Sequence, residues 1–194
     1  MIEIFVSYRA DDSVHATMAI SDELALHVGR SRVFRDHDSL ALGVLYPQRI
    51  RLAVARCDTL LAVIGPHWLD ARDARGRRRI DEPRDWVRTE IRMAFERHIP
   101  VVPILLDDTA LPAQHQLPDD IRLLSLSNYW RIRHQTFAAD MRGLIGKLDP
   151  TAVPASTGSA GNTQHNSAAE GGAVYATQGG NQTIYVNDLD GKDR

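Results

Sequence analysis

Thr59-Leu60-Leu61-Ala62-Val63-Ile64 is apolar along its whole length after the first residue. A strand without polar alternation is covered on both faces, as a central strand of a parallel sheet is. Working outward, Glu3-Ile-Phe-Val-Ser7 and Pro100-Val-Val-Pro-Ile-Leu-Leu106 read as further buried strands, and Arg32-Val-Phe34 as a short one. Between them lie amphipathic stretches. Asp11-Asp12-Ser13 leads into a helix with Val14, Met18, Leu24 and Val28 as apolar positions and Gly29 as its stop. A second helix is expected from Pro47 to Ala55, since proline suits a first turn. Others are expected over Trp86 to His98 and over Gln135 to Leu148. Strand and helix alternating four times predict a parallel sheet between helical layers. Ligands of such sheets bind beyond the carboxyl ends of the strands, so the loops after Ser7, Phe34, Ile64 and Leu106 are the ones to search.

The composition changes near Asp149. Seven of the 13 glycines follow that point, and all three tryptophans precede it. Residues 149–172 are too poor in apolar side chains to offset chain entropy and read as a flexible linker. Residues 173–187 hold two β-prone runs, Val174 to Gln178 and Gln182 to Val186, around Gly179-Gly180-Asn181, without charge or proline up to Val186. That is the composition of a cross-β stacking segment, and 188–194 reads as a disordered terminus. The chemistry is expected within 1–148.

Over the 194 residues, 23 Lys+Arg against 25 Asp+Glu give no electrostatic reason for nucleic acid or an acidic membrane as partner. No apolar run approaches the roughly 18–20 residues of a membrane span. The opening MIEIFVSY lacks the basic and long apolar regions of a signal peptide, and one cysteine, Cys57, forms no internal disulfide. A cytoplasmic protein is expected, with no metal and no cofactor. No Gly-x-Gly-x-x-Gly follows the first strand, no phosphate loop has the right spacing, and no Gly-x-Ser-x-Gly turn occurs. Arg72, Arg75, Arg77, Arg78 and Arg79 suggest a nucleic-acid patch, but Asp70, Asp73, Asp81 and Glu82 flank them, so a solvated loop with local ion pairs is expected.

What remains is Ser7-Tyr8-Arg9 after the first strand, Asp36-His-Asp-Ser-Leu-Ala-Leu-Gly43 after the second, Gly65-Pro-His-Trp68 after the third, and Asp85-Trp-Val-Arg-Thr-Glu90 opening a helix. Trp86 and Glu90 are four apart and share a helix face. Val87, Ile91 and Phe95 form the neighbouring face, which leaves Glu90 at the rim, either as a solvated helix residue or as a functional carboxylate.

Ile4-Phe-Val-Ser-Tyr-Arg9, Val33-Phe-Arg-Asp36 with Gly43, Leu61-Ala-Val-Ile-Gly-Pro-His-Trp-Leu69 and Asp85-Trp-Val-Arg-Thr-Glu-Ile91, in that order, resemble a bacterial Toll/interleukin-1 receptor (TIR) domain. The resemblance covers about residues 1–148. It implies a flavodoxin-like three-layer α/β fold with a five-stranded parallel sheet, followed here by the flexible tail. It also implies hydrolysis of NAD+ at the nicotinamide–ribose bond, with or without cyclisation of the ADP-ribose, in a self-assembling bacterial immune effector. The catalytic glutamate of the family falls on Glu90. Substrate-binding positions fall on Ser7, Tyr8, Arg9, Asp36, Tyr46 and Trp86, with Arg9 expected on the pyrophosphate. The aromatic that enzymatic relatives often place two residues after the loop glycine is replaced by Leu45, and Tyr46 stands next to it. The assembly loop falls on Asp36 to Pro47, with Leu40, Leu42, Gly43, Val44 and Leu45 as its apolar centre. Residues 173–187 resemble bacterial amyloid-signalling motifs, which implies a receptor carrying a matching motif as partner. The rival reading is a non-enzymatic TIR adaptor that mediates only homotypic assembly.

Overall fold

The structure, a computed structural model, describes residues 2–35 and 53–149. Their elements run β1 (Ile4–Ser7), α1 (Ala10–Val28), β2 (Val33–Arg35), β3 (Thr59–Ile64), α2 (Trp86–Glu96), β4 (Val101–Leu106), β5 (Trp130–Ile132) and α3 (Phe137–Leu148). A helical segment over 53–56 precedes β3. The five strands form one sheet in the order β2-β1-β3-β4-β5, with every pair parallel. This is the expected α/β architecture.

The alternation of side chains along each strand builds two cores. Phe5, Leu60, Ala62, Ile64 and Leu105 point to the layer that holds α2, where Val87, Ile91 and Ala94 meet them. Ile4, Val6, Leu61, Val63, Ile104 and Ile132 point the other way, to Ile20 and Leu24 of α1 and Met141, Leu144 and Ile145 of α3. The run from Thr59 to Ile64 is buried at every position, as a strand covered on both sides must be.

One expectation about packing is corrected. On α1 the buried set is Ser13, Thr17, Ile20, Ser21 and Leu24, while Met18 is 47% exposed and Val14 and Val28 are half-buried. Small hydroxylated residues occupy the inner stripe, and the Ser21 hydroxyl donates to the Thr17 carbonyl (2.7 Å), which offsets the burial of that side chain. β5 is the fifth strand that the resemblance implies, and the alternation alone did not place it. Two 3₁₀ turns, Gln114–Gln116 and Arg122–Leu126, take the place of a long helix between β4 and β5, with Pro112 and Pro118 alongside. Gly29 ends α1 at φ 97° as expected.

Gly143 faces the Trp130 ring, and a Cβ there would lie 2.6 Å from Cζ2. The indole is held in place by its N–H donating to the Asp140 carbonyl (3.0 Å). Gly143→Ala therefore lowers stability by about 1 kcal/mol net: overpacking costs typically 1–3 kcal/mol and the helix propensity of alanine returns up to about 1 kcal/mol. Thermal unfolding checks this, and a rise in melting temperature would refute it.

Candidate active site

β1 keeps its alternation past its last residue. Ser7 and Arg9 point to the α2 layer, and Tyr8 packs in the opposite core with Ile20 and Met141. The Ser7 hydroxyl, fully buried, donates to Glu90 Oε2 at 2.6 Å. Arg9 is 1% exposed. Its Nη1 and Nη2 donate to the two carboxylate oxygens of Asp85 (2.9 and 3.0 Å), and its Nε donates to the Trp68 carbonyl (2.8 Å). The guanidinium carbon also lies 5.5 Å from the Trp68 ring centre.

Asp85 is the N-cap of α2 and accepts from the Arg88 amide at 3.0 Å. Arg79 adds a longer contact to it (3.6 Å) and reaches Asp11 on α1 (3.2 Å). The cap and the guanidinium together fix where α2 begins. Glu90, one turn into the helix, is 1% exposed. The expected place at the rim is thus corrected: Val87, Glu90, Ile91 and Ala94 form one buried i, i+3, i+4, i+7 stripe. Phe95 lies at its half-buried margin. Trp86 is half-buried against the same core and lines a cavity of about 190 Å³ with Asp73, Arg79, Glu82, Arg84 and Asp85.

The structure therefore joins Ser7 to Glu90 and Arg9 to Asp85, with Trp86 next to Asp85 at the start of α2. Tyr8, a substrate-binding position by the resemblance, packs on the other side of the sheet from Ser7 and Arg9, because neighbouring strand residues face opposite ways. Arg9, expected on the pyrophosphate, has no accessible side-chain surface, and each of its nitrogens is engaged within the chain. Asp36, Leu40, Leu42, Gly43, Val44, Leu45 and Tyr46 lie outside the described residues, as do most of the helix expected from Pro47 and all of the tail beyond Asp149.

Two acids to which the sequence assigned no part in the site complete the frame. Asp85 is the first. Asp12 is the second: it accepts from the Gly65 amide (2.9 Å) and the His67 amide (2.7 Å), pinning the loop after β3 to α1. Gly65 lets the two approach closely: a Cβ there would sit 2.5 Å from Asp12 Oδ2 and displace that carboxylate. Beyond the ends of β3 and β4 a cavity of about 550 Å³ is lined by Pro66, Leu69, Asp107, Asp108 and Leu111 among others. The His134 amide and imidazole hold the Asp107 carboxyl below its ordinary range.

The arginine-rich loop is laced by ion pairs: Arg77 with Asp73 and Glu82, and Arg78 with Asp81. Cys57 packs at the end of the 53–56 segment and donates to the Val54 carbonyl, and burial pushes its thiol up to about 11. Among the described residues no group of three or more His, Cys, Asp or Glu could hold a metal ion, and no helix is long and apolar enough to cross a membrane.

A Caenorhabditis elegans protein named NAD(+) hydrolase tir-1 is 28% identical over 159 residues, 77% of this chain. The chain spans only 15% of that relative's length. Among solved structures, the TIR domains of the activated Roq1 resistosome recognizing the effector XopQ align with TM-score 0.58 at 12% identity, over 77% of this chain and 100% of that one. A TIR-STING receptor from C. gigas aligns with TM-score 0.50 at 16% identity, over 74% and 39%. At those identities the likeness is one of fold. The family described as TIR domain matches residues 4–145, from the start of β1 into α3. This chain belongs to the TIR domain family.

Proposed function

We propose that the chain is an NAD+ glycohydrolase whose catalytic carboxylate is Glu90. The observation that carries this reading is a glutamate in the buried stripe of α2, held at 2.6 Å by the Ser7 hydroxyl at the carboxyl end of a central strand. Burying a carboxylate costs stability unless it is compensated, so its place in a core stripe asks for a reason beyond packing. The named activity of the C. elegans relative supports the same reading.

One carboxylate is enough for this bond. Glycoside hydrolysis usually needs a second to protonate the leaving oxygen. The leaving group of NAD+ is a pyridinium that departs as neutral nicotinamide by taking the electron pair of the glycosidic bond, and no acid is required. The ribose left behind carries positive charge shared between C1′ and the ring oxygen, which a fixed carboxylate stabilises. Water then adds at C1′ and loses its proton, or an internal nucleophile closes a cyclic product. Ser7 fixes the orientation of the carboxylate, and Trp86, one turn earlier, supplies an aromatic wall.

The burial of Glu90 also favours the second reading, a TIR adaptor, because a carboxylate closed off from solvent offers a substrate no open approach. Under the enzymatic reading the same burial makes turnover conditional, with self-association through the loop from Asp36 to Pro47 as the trigger and residues 173–187 as a stacking element that concentrates the domains. Nicotinamide release from NAD+ by the full-length chain, followed over a range of protein concentrations, separates the two. The expected result is a rate per chain that rises with concentration. No release at any concentration leaves the adaptor.

A further inference from the structure

Ser7 and Arg9 are two residues apart on β1 and its extension, and their partners Glu90 and Asp85 are five apart on α2. Two residues of extended chain advance about 6.7 Å, and five residues of helix about 7.5 Å. The strand and the helix run in opposite senses, so the later residue on one meets the earlier residue on the other. Both contacts therefore form together in a single register. A shift of α2 by one residue moves it about 1.5 Å and turns it by about 100°, which breaks both.

We propose that the Arg9–Asp85 pair is a positioning device that sets the register of α2 against β1 and so delivers the Glu90 carboxylate to Ser7; this rests on the glycohydrolase reading. Three features distinguish it from a pair that only adds stability. The guanidinium is fixed from a third side by the Trp68 carbonyl (2.8 Å), so its plane cannot turn. Asp85 is also the N-cap, so the same carboxylate that meets Arg9 defines the first turn of the helix carrying Glu90. Finally, a buried ion pair is commonly replaceable by apolar groups without loss of stability, whereas the fork of an arginine on a carboxylate specifies geometry. Arg9 and Asp85 touch no reacting atom in this scheme. They act through Glu90.

The test uses the full-length chain with Arg9→Met and Asp85→Ser combined. Both charges are then gone, methionine fills the arm of the arginine, and serine keeps an N-cap acceptor. Two readouts are taken. In nicotinamide release, kcat is expected to fall at least about tenfold with KM within about twofold, since a misplacement of about 1 Å costs up to about 100-fold in rate. In thermal unfolding, Ser7→Ala is expected to lower Tm in the wild-type background and by less than about half as much in the double variant, as coupled contacts do. If the double variant does not fold, Arg9→Lys, which keeps the charge and loses the fork, takes its place with the same expectations. Wild-type kcat in the folded variant, or an equal Ser7→Ala shift in both backgrounds, overturns the proposal. If the wild-type chain releases no nicotinamide under any condition, the glycohydrolase reading has failed, and the Ser7→Ala shift alone decides whether the pair positions α2.

Discussion

Glu90→Gln is expected to lower nicotinamide release by about 10²–10³-fold, the usual cost of removing one preorganised electrostatic group at a developing charge. Glutamine keeps the length of the side chain, and its carbonyl oxygen can still accept from the Ser7 hydroxyl, so the circular dichroism spectrum is expected to stay that of the wild type. Glu90→Asp is the sharper companion. It keeps the charge and withdraws it by one methylene, and a comparable loss shows that position as well as charge matters. Nicotinamide release from protein matched for concentration checks both. Rates equal to wild type in Glu90→Gln would remove this residue from the chemistry.

The second large effect concerns stability. Arg9→Met alone leaves Asp85, at 7% exposure, as a buried carboxylate without its principal counter-charge. Breaking a buried pair from one side costs about 3–5 kcal/mol, and in a domain of this size that corresponds to a fall in Tm of about 10–15 °C. Adding Asp85→Ser removes the stranded charge and is expected to recover most of that fall. A single variant that melts with the wild type would mean that water or Arg79, 3.6 Å away, already compensates Asp85.

The fold was legible because its main signals are local. Leu60 to Ile64 is apolar as written and is buried as built, and Gly29 stands where α1 stops. β5 escaped because three residues carry no period. The inner face of α1 escaped because Ser13, Thr17 and Ser21 are polar by type and buried by position. Glu90 was found through the motif and misplaced by the helix arithmetic: the stripe through Val87, Ile91 and Phe95 overlooks that 87, 90, 91 and 94 match the helical repeat better. A glutamate among those positions reads as polar until its partner is known. That partner, like those of Arg9 and Asp12, lies far away in sequence, where no periodicity reaches.

The placement of β1 inside the sheet, between β2 and β3, has a bearing on the order in which this chain is made. Ser7 leaves the ribosome 83 residues ahead of Glu90. At about 5–20 residues per second that is roughly 4–17 s during which the hydroxyl has no carboxylate to meet. The contact closes a long loop, and such loops are joined late and slowly. A nascent chain of this kind holds no assembled site until α2 has been synthesised and docked. For a protein proposed to hydrolyse NAD+, this order of synthesis would itself delay the first turnover.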